Sequence, residues 1–191
     1  MPPLGILDQQ LRHPNNRANY HPVRHVANAI GGGPHQQVDI SKGLTLAAWI
    51  KPAAEMGKAH YEGKGDIVGF GNRRAILSLA GQVAPYTLEG RINVNEKIES
   101  QKKLDADRWY FVAMTCKPEA DGHRVRLLVD GEPVGEGVVK GLAKEKSVAD
   151  SIVLGTEIYY LHGAYYRGLI GRVLVVHGVV DDSTLRGISR L

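Results

Sequence analysis

Cysteine is nearly absent: Cys116 is the only thiol in 191 residues. No intrachain disulfide can form, so the chain is not a disulfide-stapled scaffold. A chain of this length needs no such staple, because it can bury roughly 70% of the surface its unfolded form exposes. Long apolar runs are missing too. No stretch reaches the ~18 residues that a membrane-spanning helix requires. The opening Met1-Pro2-Pro3-Leu4-Gly5-Ile6-Leu7-Asp8 lacks the basic and apolar regions of a secretory leader, although a leader could precede it in a longer protein. Charge of one sign is never concentrated into a run of five. The basic groups Arg73-Arg74, Lys102-Lys103 and Lys140/Lys144/Lys146 are short and not interleaved with aromatics, which argues against a nucleic-acid surface. The net charge of +4 is the mild bias of an ordinary solvated surface.

Several chemistries are excluded by missing motifs. His21 and His25 stand four apart, but Pro22 occupies the place of a zincin glutamate. His60-Tyr61-Glu62 has no Cys-x-x-Cys partner, which removes a deaminase-type zinc site. Gly31-Gly32-Gly33 lacks the Gly-Lys-Ser/Thr of a phosphate loop. No Ser, His and Asp grouping is recognisable. Cys116 lies in an apolar run and reads as an inert core thiol.

What the chain does have is punctuation: 23 glycines and 9 prolines between short apolar runs. This predicts many strands and no long amphipathic helix. Residues 1–25 are polar and irregular, and read as an arm or linker; residues 26–191 read as one domain. Strands are predicted at Gln37–Ile40, Leu44–Ile50, Asp66–Phe70, Ala75–Leu79, Leu88–Val94, Trp109–Cys116, Val125–Val129, Ser151–Gly155 and Leu169–Val176. Leu44–Ile50 is apolar on both faces, the mark of a central strand. Asp121-Gly122 and Asp130-Gly131 predict hairpin turns, since such pairs take positive φ readily. Asp181-Asp182-Ser183-Thr184-Leu185 predicts a capped short helix. Roughly ten to thirteen short strands make an all-β, two-sheet antiparallel β-sandwich or jelly roll.

In order, these segments resemble the laminin-G-like, pentraxin-like branch of the concanavalin A-like lectin/glucanase superfamily. Four stretches carry the resemblance. They are Val38–Ile40 with Leu44–Pro52; Trp109–Ala113; Val125–Val134, with Leu128 where a Tyr is common; and Ile152–Gly155 followed by Tyr166–Val173 and Leu185. The resemblance covers about residues 30–191 and implies tryptophans that fill the core. Fold does not by itself name a ligand. Glucan-cleaving relatives carry Glu-x-Asp-x-x-Glu on one strand. Here Glu119-Ala120-Asp121 starts the pattern, but Arg124 ends it, and the segment is a turn.

The expected function is therefore a non-catalytic recognition module that binds carbohydrate or mediates adhesion. The resemblance implies an extracellular or cell-surface setting within a larger protein, with a glycan or an extracellular protein as partner. The alternatives are an assembly domain with no sugar site and a glycan-cleaving enzyme with an unrecognised site. The tyrosine-rich segment supplies the ligand candidates: Tyr159, Tyr160, His162, Tyr165, Tyr166 and Arg167. Tyrosine pairs a flat apolar face with a hydroxyl and loses little entropy on binding. Neighbouring tyrosines in a strand point to opposite faces, so one of each pair is expected in the core. The family resemblance also raises Ca²⁺, with Asp66, Glu99 and Asp121 as weak donor candidates.

Overall fold

The computed structural model describes residues 6–7, 26–28, 42–56, 63–70, 75–92, 96–140, 152–155 and 166–191. Twelve strands and one helix lie among them: β1 (Ile6–Leu7), β2 (Val26–Asn28), β3 (Leu44–Pro52), β4 (Lys64–Phe70), β5 (Ala75–Ala80), β6 (Tyr86–Ile92), β7 (Glu96–Leu104), β8 (Tyr110–Glu119), β9 (Gly122–Val129), β10 (Glu132–Val139), β11 (Ile152–Leu154), β12 (Gly168–His177) and α1 (Asp182–Ile188). One sheet has seven strands in the order β1-β2-β12-β3-β8-β9-β10, and the other has five in the order β11-β4-β5-β6-β7. Every pairing is antiparallel except β2 with β12.

The two sheets face each other across an apolar core. Alternation along β3 sends Leu44, Leu46, Ala48 and Ile50 inward, and β8 sends Tyr110, Val112, Met114 and Cys116. Leu77, Leu79, Leu88 and Ile92 meet them from the five-stranded sheet. Central strands with two apolar faces need a cover on the outside as well, and α1 provides it. Leu185 is fully buried against Ala47, Phe111, Ala113 and Leu128, with Ile188, Leu174 and Trp49 packed around them. This second layer explains why the Leu44–Ile50 run shows no wet face.

Both Asp-Gly turns form. Asp130 and Gly131 take φ of 55° and 80°, the left-handed pair of a tight hairpin. Asp130 Oδ1 also accepts a hydrogen bond from the Phe111 N–H at 3.0 Å, which ties the turn to β8. The predicted terminal helix is present, and the Asp181 carboxylate caps it by accepting from Thr184 N at 2.8 Å.

One strand is longer and more polar than the sequence pattern predicts. The chain leaves β6 at Ile92 and returns as β7, whose exposed face carries Lys97, Glu99, Gln101 and Lys103. β7 is an edge strand, and the neighbouring edge belongs to β10 of the opposite sheet. A methyl group on Gly135 would stand 2.6 Å from the Glu99 carbonyl oxygen, and one on Gly137 would strike Ile98. These two glycines let the sheet edges close against each other.

Candidate functional site

A shallow, open cavity of about 310 Å³ lies on the outer face of the seven-stranded sheet, lined by Trp49, Trp109, Gly171, Arg172 and Leu191. Its size is at the lower end of the range for small-ligand sites. Trp49 and Phe111 are register partners on β3 and β8, with ring centroids 5.6 Å apart. Trp109 precedes β8 with the same parity as Phe111, so it projects on this face beside Trp49. It is 45% exposed.

The floor of the groove comes from an irregularity in β12. Ile170 pairs with Ile50 and Val173 with Ala48, so Gly171 and Arg172 together oppose the single residue Trp49. This is the count of a β-bulge, a device that re-aims side chains next to sites. A methyl group on Gly171 would stand 3.2 Å from Cβ of Trp49 and 3.5 Å from Cζ3 of Trp109. Glycine therefore keeps a side-chain-free slot between the two indoles, and the bulge sets Arg172 at its wall. The resemblance implied tryptophans that fill the core; Trp109 is instead exposed, and Trp49 is half-buried against the layer beneath α1 rather than between the sheets. Both lie on the outer face of the seven-stranded sheet, since Trp49 has the opposite parity to Leu44, Leu46 and Ile50.

Of the tyrosine-rich segment, Tyr159, Tyr160, His162 and Tyr165 lie outside the described residues. Tyr166 is buried at 5% exposure and belongs to the core. Its hydroxyl donates to the Leu169 carbonyl at 3.4 Å, and burial raises its pKa. This corrects the expectation that Tyr166 meets a ligand: its ring is packed beneath the surface, as one of two neighbouring tyrosines should be. Arg167 is half-buried beside it. Its backbone bonds Ala53 N to its carbonyl at 3.0 Å, and its Nε is buried without a hydrogen-bond partner.

The acidic candidates fall in two places. Asp66, Ser78, Glu89 and Glu99 are register partners across β4, β5, β6 and β7, forming one row on the outer face of the five-stranded sheet. Cross-strand neighbours in such a row are about 5 Å apart at Cβ. Glu89 is fully buried and ion-paired with Lys64 at 3.7 Å, Lys97 at 3.6 Å and the adjacent Arg91. Glu99 accepts from Lys97 at 2.7 Å, and that bond raises the lysine pKa. Asp121 is exposed at the β8–β9 turn in the other sheet. Calcium wants six to eight oxygens around one point. Asp66, Glu99 and Asp121 do not converge, and among the described residues no three His, Cys, Asp or Glu side chains gather to hold a metal. In the partial glucanase pattern, Arg124 donates to Glu119 at 2.6 Å and to Glu136 at 2.8 Å.

The sequence matches the profile of a laminin-G-type family described as the concanavalin A-like lectin/glucanases superfamily, over residues 30–185. No curated protein sequence matches it significantly. Among solved structures, the heptameric SAP-like pentraxin of Limulus polyphemus superposes with a TM-score of 0.59 at 18% identity, covering 78% of this chain and 70% of that one. The CBM40 of a Ruminococcus gnavus sialidase, solved with alpha2,3 sialyllactose, gives 0.59 at 17%, covering 78% and 83%. Domain 4 of a Geobacillus stearothermophilus extracellular arabinanase, in complex with arabinotriose, gives 0.51 at 14%, covering 78% and 66%. Likeness at such low identity speaks to fold alone. Together with the two-sheet topology and the profile match over most of its length, it places this chain in the concanavalin A-like lectin/glucanase superfamily.

Proposed function

We propose that the domain is a non-catalytic carbohydrate-binding module, set in an exported or surface protein, with its sugar lying in the Trp49–Trp109 groove. The observation that carries this reading is the pair of indoles flanking a slot that only Gly171 leaves open. Indoles offer flat apolar faces to the C–H faces of a pyranose ring, and few polar groups are needed beside them to fix its orientation. The described residues assemble no opposed carboxylate pair at this groove, whereas glycoside hydrolysis ordinarily requires two. The fold is shared with sugar-bound modules, which agrees with the reading without selecting a sugar.

The test is a glycan-array screen of the purified domain, followed by titration of the hits. Trp109→Ala should weaken binding about 30-fold, the loss of roughly 2 kcal/mol typical of a central aromatic anchor. Gly171→Val should abolish binding by filling the slot, with the fold intact. Tyr160→Ala and Tyr165→Ala run in parallel test the tyrosine-rich segment, and repetition with chelator tests calcium. Binding indifferent to Trp109 and Gly171 would move the site elsewhere. No binding to any glycan by the folded protein would favour a protein-assembly role.

A further inference from the structure

Of the eight described arginines, four are held in ion pairs. Arg91 pairs with Glu89, Arg124 with Glu119 and Glu136, Arg126 with Glu136 at 3.2 Å and Asp182 at 2.8 Å, and Arg186 with Glu132 at 3.2 Å. Arg172 is different. It lines the groove and makes no ion pair or hydrogen bond with any described residue. Two more cations belong to the same end of this face. Lys51 is the register partner of Leu169, and it reaches only Asp107, at 3.9 Å. Arg167 shares the parity of Leu169 and makes no ion pair with any described residue.

A guanidinium presents a planar fork of donors that matches a carboxylate or a sulfate two bonds at a time. Arg172 is exposed at the groove, where its fork is open to an incoming anion. We infer that the ligand of the groove is an acidic saccharide, whose carboxylate or sulfate sits on Arg172 while its ring lies against Trp109 and Trp49. The inference rests on the carbohydrate reading above and narrows it to a class. A neutral sugar would make no use of the charge on Arg172, and an acidic peptide would make no use of the Gly171 slot.

The experiment compares matched pairs by calorimetric titration of the intact protein. One pair is oligogalacturonate and its methyl ester; the other is sulfated galactan oligosaccharide and its desulfated form; an oligoglutamate peptide is the third arm. One acidic saccharide should bind about ten- to hundred-fold more tightly than its neutral partner, the span expected for one hydrogen-bonded charge pair. The pair that shows the difference identifies carboxylate or sulfate. Arg172→Gln should bring the acidic member down to the level of its neutral partner, Arg172→Lys should keep part of the difference, and Trp109→Ala should weaken both members. Equal binding of acidic and neutral partners, both lost in Trp109→Ala, would overturn the acidic class while the carbohydrate reading stood. Acidic preference unmoved by Arg172→Gln, or peptide binding as tight as saccharide binding, would overturn it as well. Failure of every saccharide to bind would overturn both readings.

Discussion

Leu185→Ala tests whether α1 is a separately docked cover. Leu185 is fully buried on Ala47, Phe111, Ala113 and Leu128. Removing its isopropyl group forfeits about 2.4 kcal/mol of transfer free energy, at roughly 0.8 kcal/mol per buried carbon. The cavity left behind brings the expected loss to about 2–5 kcal/mol. What else holds the helix is weaker. The Arg126–Asp182 and Arg186–Glu132 pairs are half-exposed, and such pairs contribute ~0–1 kcal/mol each. A helix of seven residues has no stability of its own, since isolated helices need ~12–15 residues. The variant should therefore lose the helix before the sandwich. Hydrogen exchange reads this directly. The Leu185 N–H, bonded to Asp181 O at 3.0 Å, and the Ser189 N–H, bonded to Leu185 O at 2.9 Å, should lose protection about 30-fold or more. Amides of β3 and β8 should keep theirs. Trp49 packs on the same layer, so its fluorescence should shift to the red in a Trp109→Phe background. Unchanged protection at Leu185 and Ser189 would refute the reasoning. So would a loss shared equally with β3 and β8, because the helix would then unfold only with the whole domain.

Three further outcomes follow from particular residues. Cys116 is fully buried and its pKa is pushed up to about 12 by burial, so a thiol reagent at pH 8 should label it only on unfolding; labelling of the native protein at the rate of a free thiol would contradict this. The Asp181 carboxyl is lowered from 3.8 to about 2 by hydrogen bonds from Ser183 and Thr184, so its contribution is complete above pH 3.8 and is lost as pH falls through 2; thermal melts of Asp181→Asn should lack that part of the acid dependence. Gly131→Ala should cost at least about 1 kcal/mol, because φ is +80° and the new methyl would stand 2.7 Å from Cα of Arg186; a chemical-denaturation midpoint equal to the parent's would show that both turn and helix yield freely.

The parts of the fold that were legible from sequence are those with local chemistry. The Asp-Gly pairs announce their hairpins through positive φ, and Asp181 announces α1 through its cap. Runs such as Leu44–Ile50 announce central strands by hydrophobicity alone. β7 was not legible as a strand of its own, because an edge strand with a wet face needs only Ile98, Ser100 and Leu104 turned inward, too sparse a pattern to separate from β6. The groove was harder still. Tryptophans in an apolar run look like core, and only parity against Leu44 and Leu46 shows that Trp49 points outward. The bulge at Gly171-Arg172 depends on the register of β3 against β12, which no local pattern encodes. Arg172 was its one visible trace, a charge interrupting an otherwise apolar strand. Tyr166 was legible only as one of a pair, since alternation says that one of two neighbours is buried without saying which.

The glycine pair on β10 has a consequence for how such domains behave in crowded company. An exposed sheet edge is a template on which another chain can add a strand, and sandwiches are vulnerable at every edge they leave open. Gly135 and Gly137 let β10 lie so close to β7 that these two edges shield each other. Lys97 and Lys102 beside the closure are ion-paired, to Glu99 at 2.7 Å and to Asp130 at 3.9 Å. Copies of this domain strung in tandem or held at high local concentration are thereby steered away from zippering together along that flank, and strand exchange between copies would have to begin at the opposite margins of the sheets.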